Sequence, residues 1–167
     1  MTIRLAEAGD GDLPAILAIY NDVIASTTAV YTEHPVAIED RLAWLTARHA
    51  AGFPVIGAFI GERLIGYGSF GDFRPWACYR NTVEHSVHVA ADCRGRGAGK
   101  MIVGALIDRA AALGKHVMIA GIDSENRPSL ALHAALGFVE VGRLPAVGRK
   151  FGRWLDLVYC HRSLPAG

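Results

Sequence analysis

Val83-Glu84-His85-Ser86-Val87-His88-Val89-Ala90-Ala91-Asp92-Cys93-Arg94-Gly95-Arg96-Gly97-Ala98-Gly99-Lys100 runs from an alternating strand pattern into a glycine-rich, basic turn that opens a helix. Gly95, Gly97 and Gly99 let backbone N–H groups approach an anion with no Cβ in the way, and the helix that follows turns its positive end toward the same place. Arg94, Arg96 and Lys100 add charge. The spacing narrows the choice of anion. A mononucleotide P-loop would place Gly at position 94 and Ser or Thr after Lys100, where Arg94 and Met101 stand. A dinucleotide G-x-G-x-x-G fails too, because Lys100 occupies the place of the third glycine. What remains is Arg94-x-x-Gly97-x-Gly99 at a strand-to-helix turn.

The surroundings of this turn bound what the chain can be. With 167 residues, 51% of them hydrophobic, one domain spanning 1–167 is expected. Lys plus Arg number 17 against 16 Asp plus Glu, so the net charge of +1 gives no general attraction to nucleic acid or an anionic membrane. Cys78, Cys93 and Cys160 are odd in number and lack C-x-x-C spacing, which points away from a disulfide framework or zinc site and toward a reducing, cytoplasmic setting. The histidines show no H-E-x-x-H or Cys/His cluster, and no metal is expected. No basic-then-apolar leader and no run of about 18 apolar residues is present, so neither secretion nor membrane insertion is expected.

Periodicity assigns the remaining elements. A strand is expected at 3–6, then a helix capped by Asp10 or Asp12 with apolar positions Leu13, Ile16, Leu17, Tyr20 and Ile24. A loop over 26–35 precedes a second helix over about 36–51, followed by strands at 54–60 and 63–70 joined at Gly61-Glu62. A polar, aromatic loop, 71–80, leads into the strand 82–89 and the helix of about 97–113, which Gly114 stops. A strand at 116–122, a helix after Asn126, a strand at 138–143, a Gly- and Pro-bearing loop and a last strand near 154–161 complete an α/β fold around one mixed sheet.

The turn pattern, together with Asn126-Arg127-Pro128-Ser129-Leu130-Ala131-Leu132-His133-Ala134-Ala135-Leu136-Gly137-Phe138, resembles two successive motifs of the GCN5-related N-acetyltransferases (GNAT). Within that superfamily the chain is most similar to the phosphinothricin and methionine sulfoximine or sulfone N-acetyltransferases. The similarity is carried by Ile19-Tyr20-Asn21-Asp22, Thr27-Thr28-Ala29, Glu33-His34-Pro35, Gly71-Asp72-Phe73-Arg74-Pro75-Trp76, Thr82 to Val87, and Gly148 to Asp156. It implies a GNAT-type mixed central β-sheet flanked by helices, acetyl-CoA as cosubstrate, a small amine acceptor and a homodimer with the 149–156 segment near the partner and the acceptor pocket.

The resemblance also implies roles. Backbone groups of Val87, His88 and Val89 would pair with the pantetheine arm, Arg94, Gly95, Arg96, Gly97, Ala98, Gly99 and Lys100 would hold the pyrophosphate, and Asn126 would bond the arm while also serving as a helix N-cap. Glu84 matches the residue regarded as general base in phosphinothricin-type enzymes. Strand alternation by itself puts Glu84, Ser86 and His88 on one face and His85 and Val87 on the other, and outside such a setting Glu84 would be an ordinary ion-paired surface carboxylate. His133 stands where many members carry a Tyr thought to protonate the leaving thiolate; it can act as that acid, or order the thioester, or simply be a packed His bonded to a carbonyl. Arg74, Pro75 and Trp76, with Glu84, His85 and Ser86, match a substrate-contacting segment, and a guanidinium beside aromatic walls suits an amino-acid carboxylate. Protein N-termini, lysines and other amines stay open as acceptors, as does a non-catalytic acyl-CoA-binding module.

Overall fold

The computed structural model describes residues 2–165. Seven strands form one sheet: β1 (Arg4–Glu7), β2 (Val55–Ile60), β3 (Arg63–Asp72), β4 (Thr82–Val89), β5 (Val117–Asp123), β6 (Val139–Lys150) and β7 (Arg153–Ser163). Their order is β1-β2-β3-β4-β5-β7-β6, antiparallel throughout except for the parallel pair β4 and β5. Four helices flank it: α1 (Leu13–Ser26), α2 (Ile38–Ala50), α3 (Ala98–Ala112) and α4 (Arg127–Ala135). This is the mixed sheet flanked by helices that the GNAT resemblance implies. No helix among the described residues is long and apolar enough to cross a membrane.

Two apolar clusters, one on each face, follow from strand alternation. Leu13, Ile16 and Ile19 of α1 and Leu45 of α2 pack with Val55, Phe59, Leu64 and Tyr67. On the opposite face Ile102, Val103 and Leu106 of α3 pack with Ile65, Phe70, Val83, Met118 and Val158. Close approach of α3 to β3 depends on Gly68, where a Cβ would fall 2.7 Å from Ile102 Cγ2. Burial on this face would be lost by any side chain there.

Several local expectations change. Neither Asp10 nor Asp12 caps α1 with its side chain; Asp12 instead accepts from the Gly9 N–H at 2.9 Å within a 3-10 turn, Asp10–Asp12. The second helix begins at Ile38, because Val36 is held outside it: its N–H donates to Asn21 Oδ1 and its carbonyl accepts from Asn21 Nδ2. The largest correction is at the C-terminal end. The expected strand 138–143 and the loop after it are one strand, β6, which absorbs the Gly- and Pro-bearing stretch through a register shift between Leu144 and Gly148 and a positive φ at Ala146. Tertiary pairing with β7 overrides the local breaker signal, as a bulge allows.

Candidate active site

The parallel pair forks. Thr82, Val83 and Glu84 pair with Val117, Met118 and Ile119, and beyond them β5 pairs only with β7. The second half of β4 therefore presents an unpaired backbone edge to the gap, and buried unpaired amides require a partner. A cleft of about 730 Å3 fills the gap, lined by Val87, His88, Val89, Arg94, Gly95, Gly97, Ala98, Gly99, Lys100 and Asn126, among others. A smaller chamber of about 100 Å3, lined by His85, Ser86, Asp123, Ser129 and His133, lies against the same edge.

The glycine turn is shaped as an anion cradle. Gly97 has φ 88°, a left-handed conformation that a β-branched residue resists, and it directs the chain into α3. The first backbone bond into α3 is donated by Met101 to the Gly97 carbonyl; among the described residues the N–H groups from Gly95 to Lys100 find no protein acceptor. Of these residues Gly95, Gly97, Ala98, Gly99 and Lys100 line the cleft, and unpaired N–H groups at a helix N-terminus suit a pyrophosphate. Arg96 is the exception to the expected set: it lies outside the cleft lining, and its guanidinium donates to the Asp92 carbonyl at 3.1 Å. Arg94 donates to the Val89 carbonyl at 3.2 Å and approaches Asp22 at 3.6 Å, so it ties the turn to the end of β4 and to α1. Asn126 accepts from the Ser129 N–H at 3.2 Å, and the N-cap role is thus in place while the residue also lines the cleft.

Glu84 is the last residue of β4 paired with β5, at the crotch of the fork. It is half-buried, and an added Cβ at Gly121 would lie 3.3 Å from its Oε1. Burial pushes its carboxyl above the usual range, and the nearby charge of Arg74 opposes the shift. Arg74 is exposed, stacked over the Phe73 ring at 4.2 Å and bonded to the Phe73 carbonyl at 3.1 Å. Pro75 is exposed as well, and Trp76 is 66% exposed, which removes a core role for that ring. Arg80 is held locally by the Ala77 carbonyl. Ser86 is exposed at the chamber, whereas His85 projects to the other face, as alternation requires, and is buried against His133 and Phe138.

His133 is buried. Its Nδ1 donates to the Ser129 carbonyl at 2.7 Å, and its Nε2 lies 3.1 Å from Nε2 of His85. Burial holds His133 below the ordinary imidazole range and drives His85 down to about 3. His88 falls to about 4, chiefly through burial with the Arg41 charge assisting, between the rings of Tyr20 and Tyr67.

The other wall comes from residues that local sequence reading did not single out as a unit. Lys150, 1% exposed, donates to the Thr27 and Val30 carbonyls at 2.6 and 2.8 Å. Glu33 accepts from the Phe151 N–H at 2.8 Å, Thr28 donates to Asp123, and the Tyr31 ring lies where a Cβ on Gly148 would come within 2.5 Å. The hairpin of β6 and β7 thereby fastens the α1–α2 loop over the fork. Strand period predicts that one of Arg149 and Lys150 faces inward, but only the pairing register decides which.

The family model for the acetyltransferase (GNAT) family matches residues 16–138, which hold both the cradle and the Asn126 helix. The chain belongs to this family. It is 49% identical over 166 residues, 98% of this chain and 96% of the relative, to an L-methionine sulfoximine/L-methionine sulfone acetyltransferase of Pseudomonas paraeruginosa. A crystal structure of a ribosomal-protein-alanine N-acetyltransferase from Brucella melitensis superposes with a TM-score of 0.94 at 45% identity, covering 98% of this chain and all of that one. A phosphinothricin acetyltransferase of the GNAT superfamily from Sinorhizobium meliloti, in complex with acetyl-CoA, superposes with a TM-score of 0.95 at 36% identity over 98% of this chain and 89% of that chain. The protein is an acetyltransferase of this family.

Proposed function

We propose that the protein acetylates the α-amine of a small amino-acid-like acceptor of the methionine sulfone, methionine sulfoximine or phosphinothricin type, with acetyl-CoA as donor. The observation that carries this reading is Glu84, a carboxylate at the crotch of the fork, raised by burial and facing the charge of Arg74. Bound acetyl-CoA supplies the thioester. The cradle N–H groups from Gly95 to Lys100 take the pyrophosphate, and the edge of β4 at Val87, His88 and Val89 aligns the arm as an added strand would. Arg74 holds the acceptor carboxylate, Phe73 and Trp76 wall it, and Ser86 lies beside the amine. Glu84 takes the ammonium proton so that a neutral nitrogen meets the carbonyl carbon. A raised carboxyl pKa narrows its gap to the ammonium, which makes proton transfer less unfavourable.

A second reading has its own support, since the Brucella relative is described as acting on a ribosomal-protein alanine, and a peptide N-terminus is also an α-amine. Peptides lack the free α-carboxylate that Arg74 would read. A screen with acetyl-CoA and thiol detection, using methionine sulfone, methionine sulfoximine, phosphinothricin, an alanine-led peptide and a lysine peptide, separates the two. Methionine sulfone should exceed both peptides in kcat/KM. Acetyl-CoA binding with no thiol release from any acceptor would point to an acyl-CoA-binding module instead.

We also infer a cytoplasmic homodimer. Three free cysteines suit a reducing compartment. The edge strand β6 is exposed over most of its length, with Val139, Val141 and Val147 uncovered and Trp154 beside it on β7, an apolar surface that a second copy would cover. Light scattering should give twice the monomer mass at micromolar concentration; a monomer would reject the dimer.

A further inference from the structure

His133 and His85 fix each other's protons. The Ser129 carbonyl can only accept, so the bond at 2.7 Å places the proton of neutral His133 on Nδ1. The His133 Nε2 lone pair then faces the His85 Nε2 at 3.1 Å, and that contact is a hydrogen bond only if His85 carries its proton on Nε2. His85 Nδ1 is left as a buried acceptor without a partner. A third proton would have to enter at that atom, in an apolar setting beside Phe138, where burial already holds both rings neutral. On their own elements the pair faces His88 and Ser129, which supply no anion; Asp123 of β5 lines the same chamber, but its carboxylate accepts from Thr28 and from the Glu125 N–H rather than from either ring. Each N–H of the pair is thus committed to a protein acceptor, and none is aimed at the chamber.

Ser129 is different. Its Oγ lies 3.3 Å from His133 Nδ1 and can take the second branch of that N–H, which leaves its own O–H free. The residue lines both the large cleft and the inner chamber, so it stands at their junction, where a thioester must sit if the donor fills the cleft and the acceptor the chamber. Its backbone is fixed independently by the Asn126 cap.

The geometry points to Ser129 Oγ–H as the group that hydrogen-bonds the departing sulfur of acetyl-CoA, with His133 and His85 as positioning residues that aim it rather than as a general acid. This rests on the acetyltransferase reading above. The ammonium first gives one proton to Glu84, which passes it to water; the neutral amine then attacks, the C–N bond forms, the C–S bond breaks with its electron pair staying on sulfur, and the second proton leaves the nitrogen for Glu84 and water as the amide forms. CoA leaves as a thiolate stabilised by the Ser129 O–H; with a thiol pKa of about 8.5 it collects a proton from solvent afterwards, and no acid is needed in the step.

Steady-state kinetics of Ser129→Ala, Ser129→Thr and His133→Asn, beside the nitrogen spectrum of 15N-histidine-labelled protein, test this. Ser129→Ala keeps the cap, which uses only its backbone, and should lose about tenfold or more in kcat with little change in acetyl-CoA KM, while Ser129→Thr should recover most of it. The spectrum should show His133 protonated on Nδ1 and His85 on Nε2, both neutral at pH 7. Wild-type kcat in Ser129→Ala, or a His133 that titrates near 6.5 or carries its proton on Nε2, would overturn the proposal. A wild-type protein without turnover on any acceptor would remove the acetyltransferase reading and the sulfur role together, whereas the spectrum judges the histidine pair independently.

Discussion

The donor half of the site and the acceptor half are assembled in opposite ways. The donor half is β4, the glycine turn and the first turn of α3, consecutive in the chain from Thr82 to Lys100. The far wall, which we assign to the acceptor together with the Arg74 loop, joins the α1–α2 loop to the β6–β7 hairpin through Lys150, Phe151 and Asp156, whose bonds to Thr27, Glu33 and Tyr31 span 123, 118 and 125 residues. A site encoded in one stretch depends on backbone conformation and tolerates changes elsewhere. One held by distant contacts can be altered without touching the donor.

That difference breaks most sharply at Gly97. Gly97→Val forces a β-branched residue into φ 88° at the entrance of α3 and should weaken acetyl-CoA binding by about 100-fold or more, measured by calorimetric titration. Arg96→Ala, whose guanidinium is spent on Asp92, should change affinity only a few-fold in the same titration.

Glu84 sits where the two halves meet. Glu84→Gln should cost about 100-fold in kcat with acetyl-CoA KM nearly unchanged. The base must be ionised to work, and its carboxyl is raised, so wild-type kcat should fall as pH drops through a value above the ordinary carboxylate range. The variant should lose that acid limb; an unaltered profile would move the base elsewhere.

The buried histidines tie stability to pH. His85 and His88 titrate near 3 and 4 in the fold and near 6.5 when unfolded, so between those values the unfolded chain binds more protons. Their contribution is complete above about 6.5 and is lost as pH falls, with a slope of about 1.4 kcal/mol per pH unit for each fully responding group. Urea unfolding at pH 7 and 5 should show a smaller drop for His88→Phe than for wild type.

Gly148→Val probes the acceptor half alone. Its side chain would collide with the Tyr31 ring, and acceptor kcat/KM should fall by about tenfold while acetyl-CoA affinity stays within a few-fold of wild type. Loss of donor affinity in this variant would merge the two halves.

The same contrast explains what could be read from the amino acids. Arg94-x-x-Gly97-x-Gly99 announces the cradle because turn geometry, helix polarity and anion affinity are all local, and the alternation of Glu84 and His85 survives in the structure because β4 is regular. The strand expected to end at 143 runs to Lys150, since the pairing of β6 with β7 outweighs Pro145 and Gly148. Nothing near Lys150 in the chain reveals that it meets the Thr27 carbonyl. His133 was legible as a site candidate, but its partner His85 is 48 residues away, and the proton positions depend on that contact.

The acceptor decides the account. With acetyl-CoA saturating and thiol release as the readout, wild-type kcat/KM for methionine sulfone should exceed that for an alanine-led peptide, and Arg74→Ala should remove most of the difference by lowering the first and sparing the second. A peptide that matches or outruns methionine sulfone in the wild type would contradict the small-molecule reading, and an Arg74→Ala that lowers both equally would reduce Arg74 to a support of its loop.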